Sequence, residues 1–116
     1  MVRDITLSEA QKRVAVFLDE RGWTPKSGQD KLYTLAHMME ELGEVARCIS
    51  HLESSRKEIM GREEAELMEN LHIELGDVMY HVFKLASAYG LDAQEIFSKT
   101  MEKNVKKYPL KKFKKN

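Results

Sequence analysis

The sequence has little of several residue types that define whole classes of protein. Its 116 residues include one cysteine, Cys48, and two prolines. A single cysteine excludes an internal disulfide framework and suits a reducing compartment, where its simplest role is that of a small core residue. No apolar run approaches the ~20 residues that span a bilayer, and Met1 to Asp4 lack the apolar stretch of a signal peptide. We therefore expect a cytoplasmic protein with no membrane partner.

The chain also lacks net charge, because 19 basic side chains balance 19 acidic ones. This balance argues against a protein whose whole surface binds a nucleic-acid polymer. The charges are nevertheless segregated: residues 38–78 hold eleven Asp and Glu against four Lys and Arg, whereas residues 103–116 hold seven Lys and no acid. An acidic middle can concentrate cations, and a basic end can attract phosphates.

The spacing of apolar residues predicts an all-α protein, an antiparallel helical bundle formed by one domain over residues 1–116. Four helices are predicted: one between Thr6 and Gly22, and three over residues 29–51, 62–89 and 93–106. Thr6 with Glu9 forms a capping-box pattern, and Asp92 with Glu95 forms a second. The second and third helices are joined by a polar connector at 54–61. We expect the lysine-rich tail, residues 109–116, to be frayed.

The second predicted helix carries a long apolar stripe. Its members are Leu32, Leu35, Ala36, Met39, Leu42, Ala46 and Ile49. Four helices of this size leave acid-bearing faces that need cover, so we expect a homodimer or a homotetramer to complete the bundle.

Two nearly identical acidic motifs lie on the second and third helices. They read Glu41-Leu42-Gly43-Glu44 and Glu74-Leu75-Gly76-Asp77. Residues three apart are neighbours on a helix surface, so each motif can aim two carboxylates at one point. Mg²⁺ and Mn²⁺ prefer such oxygen ligands. Each motif also places a glycine inside a helix, which costs roughly 0.8–1 kcal/mol relative to alanine and indicates close approach by a neighbouring helix or a substrate.

Two other interpretations of these acids remain open. Acids spaced along a helix are usually a solvated face, and at 100° per residue Glu41 and Glu44 lie roughly 160° from the centre of the apolar stripe. Cover of the second helix on both faces, as inside a dimeric bundle, would remove this difficulty. Glu69 and His72 also match the Glu-x-x-His pattern of di-iron bundles, although the chain has no second copy of it.

In these motifs the chain resembles the MazG-like nucleotide pyrophosphohydrolases of the all-α nucleoside triphosphate pyrophosphatase superfamily. The family pattern is Glu-Glu-x-x-Glu, a spacer, and Glu-x-x-Asp, which here spans Glu40 to Glu44 and Glu74 to Asp77. The opening segment 7–23 and the closing segment 103–109 are similar to the family as well. The resemblance implies Mg²⁺-dependent hydrolysis of a nucleoside triphosphate to the monophosphate and pyrophosphate, with a role in clearing unwanted nucleotides.

The resemblance also implies roles for individual residues. The metal ligands would be Glu41, Glu44, Glu74 and Asp77. The catalytic residues would be Glu40, as the base that activates water, and Glu41. Substrate contacts would come from Lys99, Lys103, Asn104 and Lys107. Trp23, at the end of the first helix, can stack on a base, although a lone aromatic there more often packs. The alternative function is a non-enzymatic helical interaction module whose lysine tail binds an anionic partner.

Overall fold

The computed structural model describes residues 3–54 and 63–113. The described residues form five helices: α1 (Leu7–Glu20), α2 (Gly28–Leu52), α3 (Glu64–Ala88), α4 (Ala93–Lys107) and the single turn α5 (Leu110–Phe113). The predicted all-α class is confirmed. The predicted connector at 54–61 lies outside the described residues except for Ser54, and so do the last three residues of the predicted tail. None of the described helices is long and apolar enough to cross a membrane.

The helix ends follow from local capping chemistry. The Thr6 hydroxyl accepts a hydrogen bond from the Glu9 amide at 3.0 Å, and the Glu9 carboxylate accepts one from the Thr6 amide, which confirms the predicted capping box. Gly22 follows α1 with a φ of 70°, a left-handed value that glycine adopts without strain. Ser27 and Asp30 form a further capping box at the start of α2 that the sequence analysis missed.

Helices α2 and α3 pack against each other as an antiparallel pair. Glu41 on α2 lies beside Glu74 on α3. One turn before Glu41, His37 contacts His81, which lies two turns after Glu74, so the two helices run in opposite directions. The buried and half-buried residues recur at intervals of three and four, as in a coiled-coil seam. We call this interface the seam; it contains Thr34, Met38, Glu41, Val45 and Cys48 on α2 and Leu67, Leu71, Glu74, Val78, His81 and Leu85 on α3.

The long apolar stripe of α2 faces outward in the single chain. Leu32 is 66% exposed and Met39 is 63% exposed, and the other predicted members of the stripe are exposed as well. The sequence argument assumed that the larger apolar stripe packs inside the chain, whereas α3 covers the opposite side. Glu41 therefore faces α3 because it lies so far around α2 from that stripe.

A buried glutamine joins α1 to the turn between α3 and α4. Gln11 is only 8% exposed, and its side-chain amide donates to the Leu91 carbonyl at 2.8 Å while its carbonyl accepts from the Ala93 amide at 2.7 Å. Nearby, the Ser8 hydroxyl donates to the Asp92 carboxylate at 2.9 Å. The main packing of α4 is therefore against α1, and α4 has no extensive packing against α2 or α3.

Candidate metal centre

Three carboxylates converge across the seam. Glu41 on α2 and Glu74 and Asp77 on α3 each offer an oxygen atom, and these oxygens lie within 4.8 Å of one another. The antiparallel packing brings Glu41 opposite Glu74, and the three-residue spacing places Asp77 on the same face of α3 as Glu74. All three side chains are partly exposed, so the cluster opens to solvent. We call these three residues the acid triad.

The proximity of the three carboxylates makes full ionisation of the acid triad less favourable. A hydrogen bond between the Glu74 and Glu41 side chains raises the pKa of Glu74 above its usual value, and partial burial and the charges of Glu41, Asp77 and Glu44 raise it further. Like-charged carboxylates at such distances favour a shared proton or a bound cation over full ionisation. The electrostatics therefore suit a site that binds a divalent ion.

The dimensions of the acid triad fit a small hard cation. Mg²⁺ binds oxygen at 2.0–2.1 Å in octahedral geometry, so ligands on opposite sides of the ion are roughly 4.2 Å apart. The separations in the acid triad, up to 4.8 Å, approach that span. Small side-chain movements would bring Glu41, Glu74 and Asp77 into contact with one ion.

The remaining acids of the two motifs lie at the edge of the acid triad. Glu44 is exposed one turn beyond Glu41 and is not among the three converging side chains, although its charge contributes to the raised pKa of Glu74. Glu40 is also exposed. It precedes Glu41 directly and therefore lies about 100° away from it around α2.

His81 supports α3 rather than an acid side chain. Its Nδ1 atom lies 2.8 Å from the Asp77 backbone oxygen. A carbonyl can only accept a hydrogen bond, so Nδ1 is the donor. The ring is only 8% exposed and makes an edge contact with His37 at 6.3 Å between centroids.

The alternative di-iron pattern does not reach the acid triad. Glu69 and His72 are both exposed on α3, and in the described ranges neither joins a group of three residues that could hold a metal ion. The acid triad is therefore the candidate metal centre of this part of the chain.

The predicted substrate contacts lie on other elements. Lys99, Lys103 and Lys107 are exposed on α4, and Asn104 is half-buried there. Because α4 packs mainly against α1, packing within one chain does not lay these residues over the acid triad. Trp23 is 58% exposed and makes an edge contact with Phe17 at 6.1 Å.

A cavity of about 230 Å³ opens next to the seam, and sequence reasoning missed most of its lining. Its residues include Trp23, Tyr33, Thr34, His37 and Lys84. The spacing of these residues in the sequence could have identified them. Thr34 and His37 precede Glu41 by seven and four residues, and Lys84 follows Asp77 by seven. Such spacings keep residues on one face of a helix. The cavity therefore lies on the same helix faces as the acid triad, although no member of the triad lines it.

The two motif glycines border open space. A methyl group added at Gly43 or Gly76 would meet nothing within 4 Å. The expected close neighbour is therefore not a helix among the described residues of the same chain. Gly43 lies four residues after Met39 and three before Ala46, on the exposed apolar side of α2.

Comparison with known proteins agrees with this geometry. Residues 29–110 match the family model described as the MazG nucleotide pyrophosphohydrolase domain. A relative from Bacillus subtilis (strain 168), the uncharacterized protein YvdC, is 31% identical over an alignment of 104 positions that covers 88% of this chain and 95% of the relative. No solved structure matches the chain at a significant level. The family match spans both acidic motifs and all of α4.

Proposed function

Because this chain belongs to the MazG nucleotide pyrophosphohydrolase family, we propose that it hydrolyses a nucleoside triphosphate to the monophosphate and pyrophosphate. The observation that carries the proposal is the convergence of Glu41, Glu74 and Asp77 across the seam, with oxygens within 4.8 Å. Carboxylates repel phosphate directly but bind it through a divalent ion. Such an activity would clear unwanted nucleotides from the cellular pool.

The chemistry divides among five acids. Glu41, Glu44, Glu74 and Asp77 would hold Mg²⁺, with Mn²⁺ as a substitute. When bound, the ion offsets the charge of the phosphate oxygens and makes a bound water more acidic. Glu40, next to Glu41, is the candidate base that takes a proton from the attacking water. The water oxygen bonds to the α-phosphorus, the bond from that phosphorus to the bridging oxygen breaks, and pyrophosphate leaves.

We further propose that a second copy of the chain completes the site. Lys99, Lys103, Asn104 and Lys107 lie on a helix that packs mainly against α1, so the acid triad of the same chain receives no cation from α4 by direct packing. A partner subunit could lay its own α4 across the acid triad. Its lysines would then bind the phosphate tail as point charges.

The exposed apolar surface supports this second copy. Only six apolar residues are buried among those described, and the radius of gyration is 17.8 Å, against about 13 Å for a compact domain of this length. Besides the apolar stripe of α2, Met79 and Val82 on α3 are also exposed, at 55% and 42%. A standard interface buries roughly 800 Å² on each partner, whereas the largest apolar patch on a typical monomer is about 600 Å² or less. An apolar surface that extends over both α2 and α3 is therefore more typical of an interface than of a monomer.

The test combines catalysis with ligand-linked stability. We expect pyrophosphate release from at least one member of a panel of ribo- and deoxyribonucleoside triphosphates, and only with Mg²⁺ or Mn²⁺ present. The same ligands should raise the melting temperature, because a ligand that binds only the folded state stabilises it. Absence of both effects across the panel would overturn the proposal and favour the helical interaction module.

A further inference from the structure

The cavity beside the seam lies one to two helical turns from the acid triad. His37 precedes Glu41 by one turn of α2, and Lys84 follows Asp77 by two turns of α3, which places the lysine roughly 10 Å further along α3. A nucleotide whose phosphates lie at the acid triad would therefore extend its sugar and base toward this cavity. Its volume, about 230 Å³, is below the ~300 Å³ of a pocket that holds a whole drug-sized ligand and suits one part of a ligand.

The walls of the cavity favour a flat aromatic group. Trp23 is 58% exposed and Tyr33 is 59% exposed, so both rings have free surface against which a base can stack. Stacking on aromatic side chains is a general way in which proteins bind bases. A phosphate group gains no stacking energy from these rings, and under the proposed function the phosphates lie at the acid triad.

Three polar side chains in the cavity wall, those of Asp30, Tyr33 and Thr34, already have hydrogen-bond partners. The Thr34 hydroxyl donates to the Asp30 carbonyl at 2.9 Å, and one Asp30 carboxylate oxygen accepts from the amides of Lys26 and Ser27. Lys84 differs, because it forms no ion pair with any carboxylate of the described segments. Its ammonium group carries three donors and no acceptor. A ligand in this cavity therefore meets one uncommitted cationic donor.

We propose that this cavity binds the nucleobase and that Lys84 selects bases that present a carbonyl oxygen over bases that present an amino group at the same position. The assignment of the base to a substrate rests on the proposed function. A carbonyl accepts the lysine proton, whereas an amino group leaves the ammonium unpaired. Hypoxanthine should therefore bind better than adenine, and uracil better than cytosine.

The test uses Trp23, which is the sole tryptophan of the chain and thus a local fluorescence reporter. Nucleoside monophosphates are titrated in the absence of metal, so that no hydrolysis is needed: inosine against adenosine monophosphate, and uridine against cytidine monophosphate. Lys84→Met removes the charge and keeps the length of the side chain. Lys12→Met, on an exposed position of α1, is the matched control.

The expected result is quenching with at least tenfold tighter binding of each carbonyl base than of its amino counterpart. Lys84→Met should abolish that preference, while Lys12→Met should keep it. Equal binding of both members of each pair by the native protein would overturn the role of Lys84, as would a Lys84→Met variant that weakens tripolyphosphate binding instead. Absence of quenching by all four ligands, in a protein that still releases pyrophosphate, would overturn the cavity assignment and not the proposed function. Base-selective quenching without pyrophosphate release would refute the proposed function and not the cavity.

Discussion

Carboxylate oxygens of Glu41 and Glu74 lie within 4.8 Å of each other across the seam between α2 and α3. Two acids occupy positions that a helical pair normally fills with apolar side chains, and their mutual repulsion is relieved only by a proton or a cation. The metal-free protein therefore holds its two longest helices together against a local electrostatic cost. A divalent ion would turn that cost into a crosslink between α2 and α3.

Loss of one member of this pair should abolish activity without unfolding the protein. We expect Glu41→Gln to lower pyrophosphate release by about 10²-fold or more, because a metal ligand and its charge are lost. Helicity by circular dichroism should stay close to that of the native protein. Glu69→Gln, an exposed change on α3, is the matched control and should retain full activity. Native activity in Glu41→Gln would refute the site.

The raised pKa of Glu74 has a defined effect on stability. Its ordinary value is 4.5, and the folded value is higher, so protonated Glu74 stabilises the fold at low pH and this contribution is lost as pH rises through the folded pKa. In chelator, the melting temperature of Glu74→Gln relative to the native protein should therefore increase from acid to neutral pH. Saturating Mg²⁺ should reverse the difference. A difference that does not change with pH would contradict the raised pKa.

The exposed apolar stripe of α2 can be tested directly. Leu32 is 66% exposed in the single chain, so Leu32→Asp should leave the fold of one chain intact while it separates the subunits. Light scattering should show the native chain as an oligomer and the variant as a monomer, with activity lost if the partner supplies α4. Leu110→Asp, at a 76% exposed position on α5, is the control. Dissociation by the control alone would place the interface elsewhere.

Gly43 gives a prediction with opposite signs in two backgrounds. In the monomeric Leu32→Asp variant, Gly43→Ala should raise the free energy of unfolding by about 0.8–1 kcal/mol, because alanine is the better helix former and the site is open. In the native background the same change should weaken the oligomer in a dilution series, since the added methyl occupies space that we assign to a partner helix. An unchanged oligomer would show that the glycine is not needed there.

Local chemistry was predictable from the sequence because it depends on a few neighbouring residues. The Thr6 capping box and the stop at Gly22 are set within four residues, and both are present. The order and approximate bounds of the four long helices were also predicted from spacing alone. That the acids bind a metal stays a prediction, although three of the four named acids converge as the motifs suggested.

The packing of α2 was not predictable from its own residues. Hydrophobicity ranks the stripe that contains Leu32 and Met39 above the side that contains Thr34, Glu41 and Cys48, yet the second side forms the seam. The sequence analysis offered cover of both faces of this helix as one interpretation, but the sequence alone does not say which of the two faces packs within the chain. The cavity was missed for a related reason: Lys84 and Trp23 are 61 residues apart and meet only when α2 and α3 are aligned.

Glu41 and Glu74 also make the fold less stable than apolar residues at the same positions would. Leucine at both positions would make the seam between α2 and α3 continuously apolar, and we expect the resulting protein to have a higher melting temperature. That protein would lose the proposed metal centre, because leucine offers no oxygen ligand. Selection for stability alone would therefore remove the proposed activity while preserving the fold.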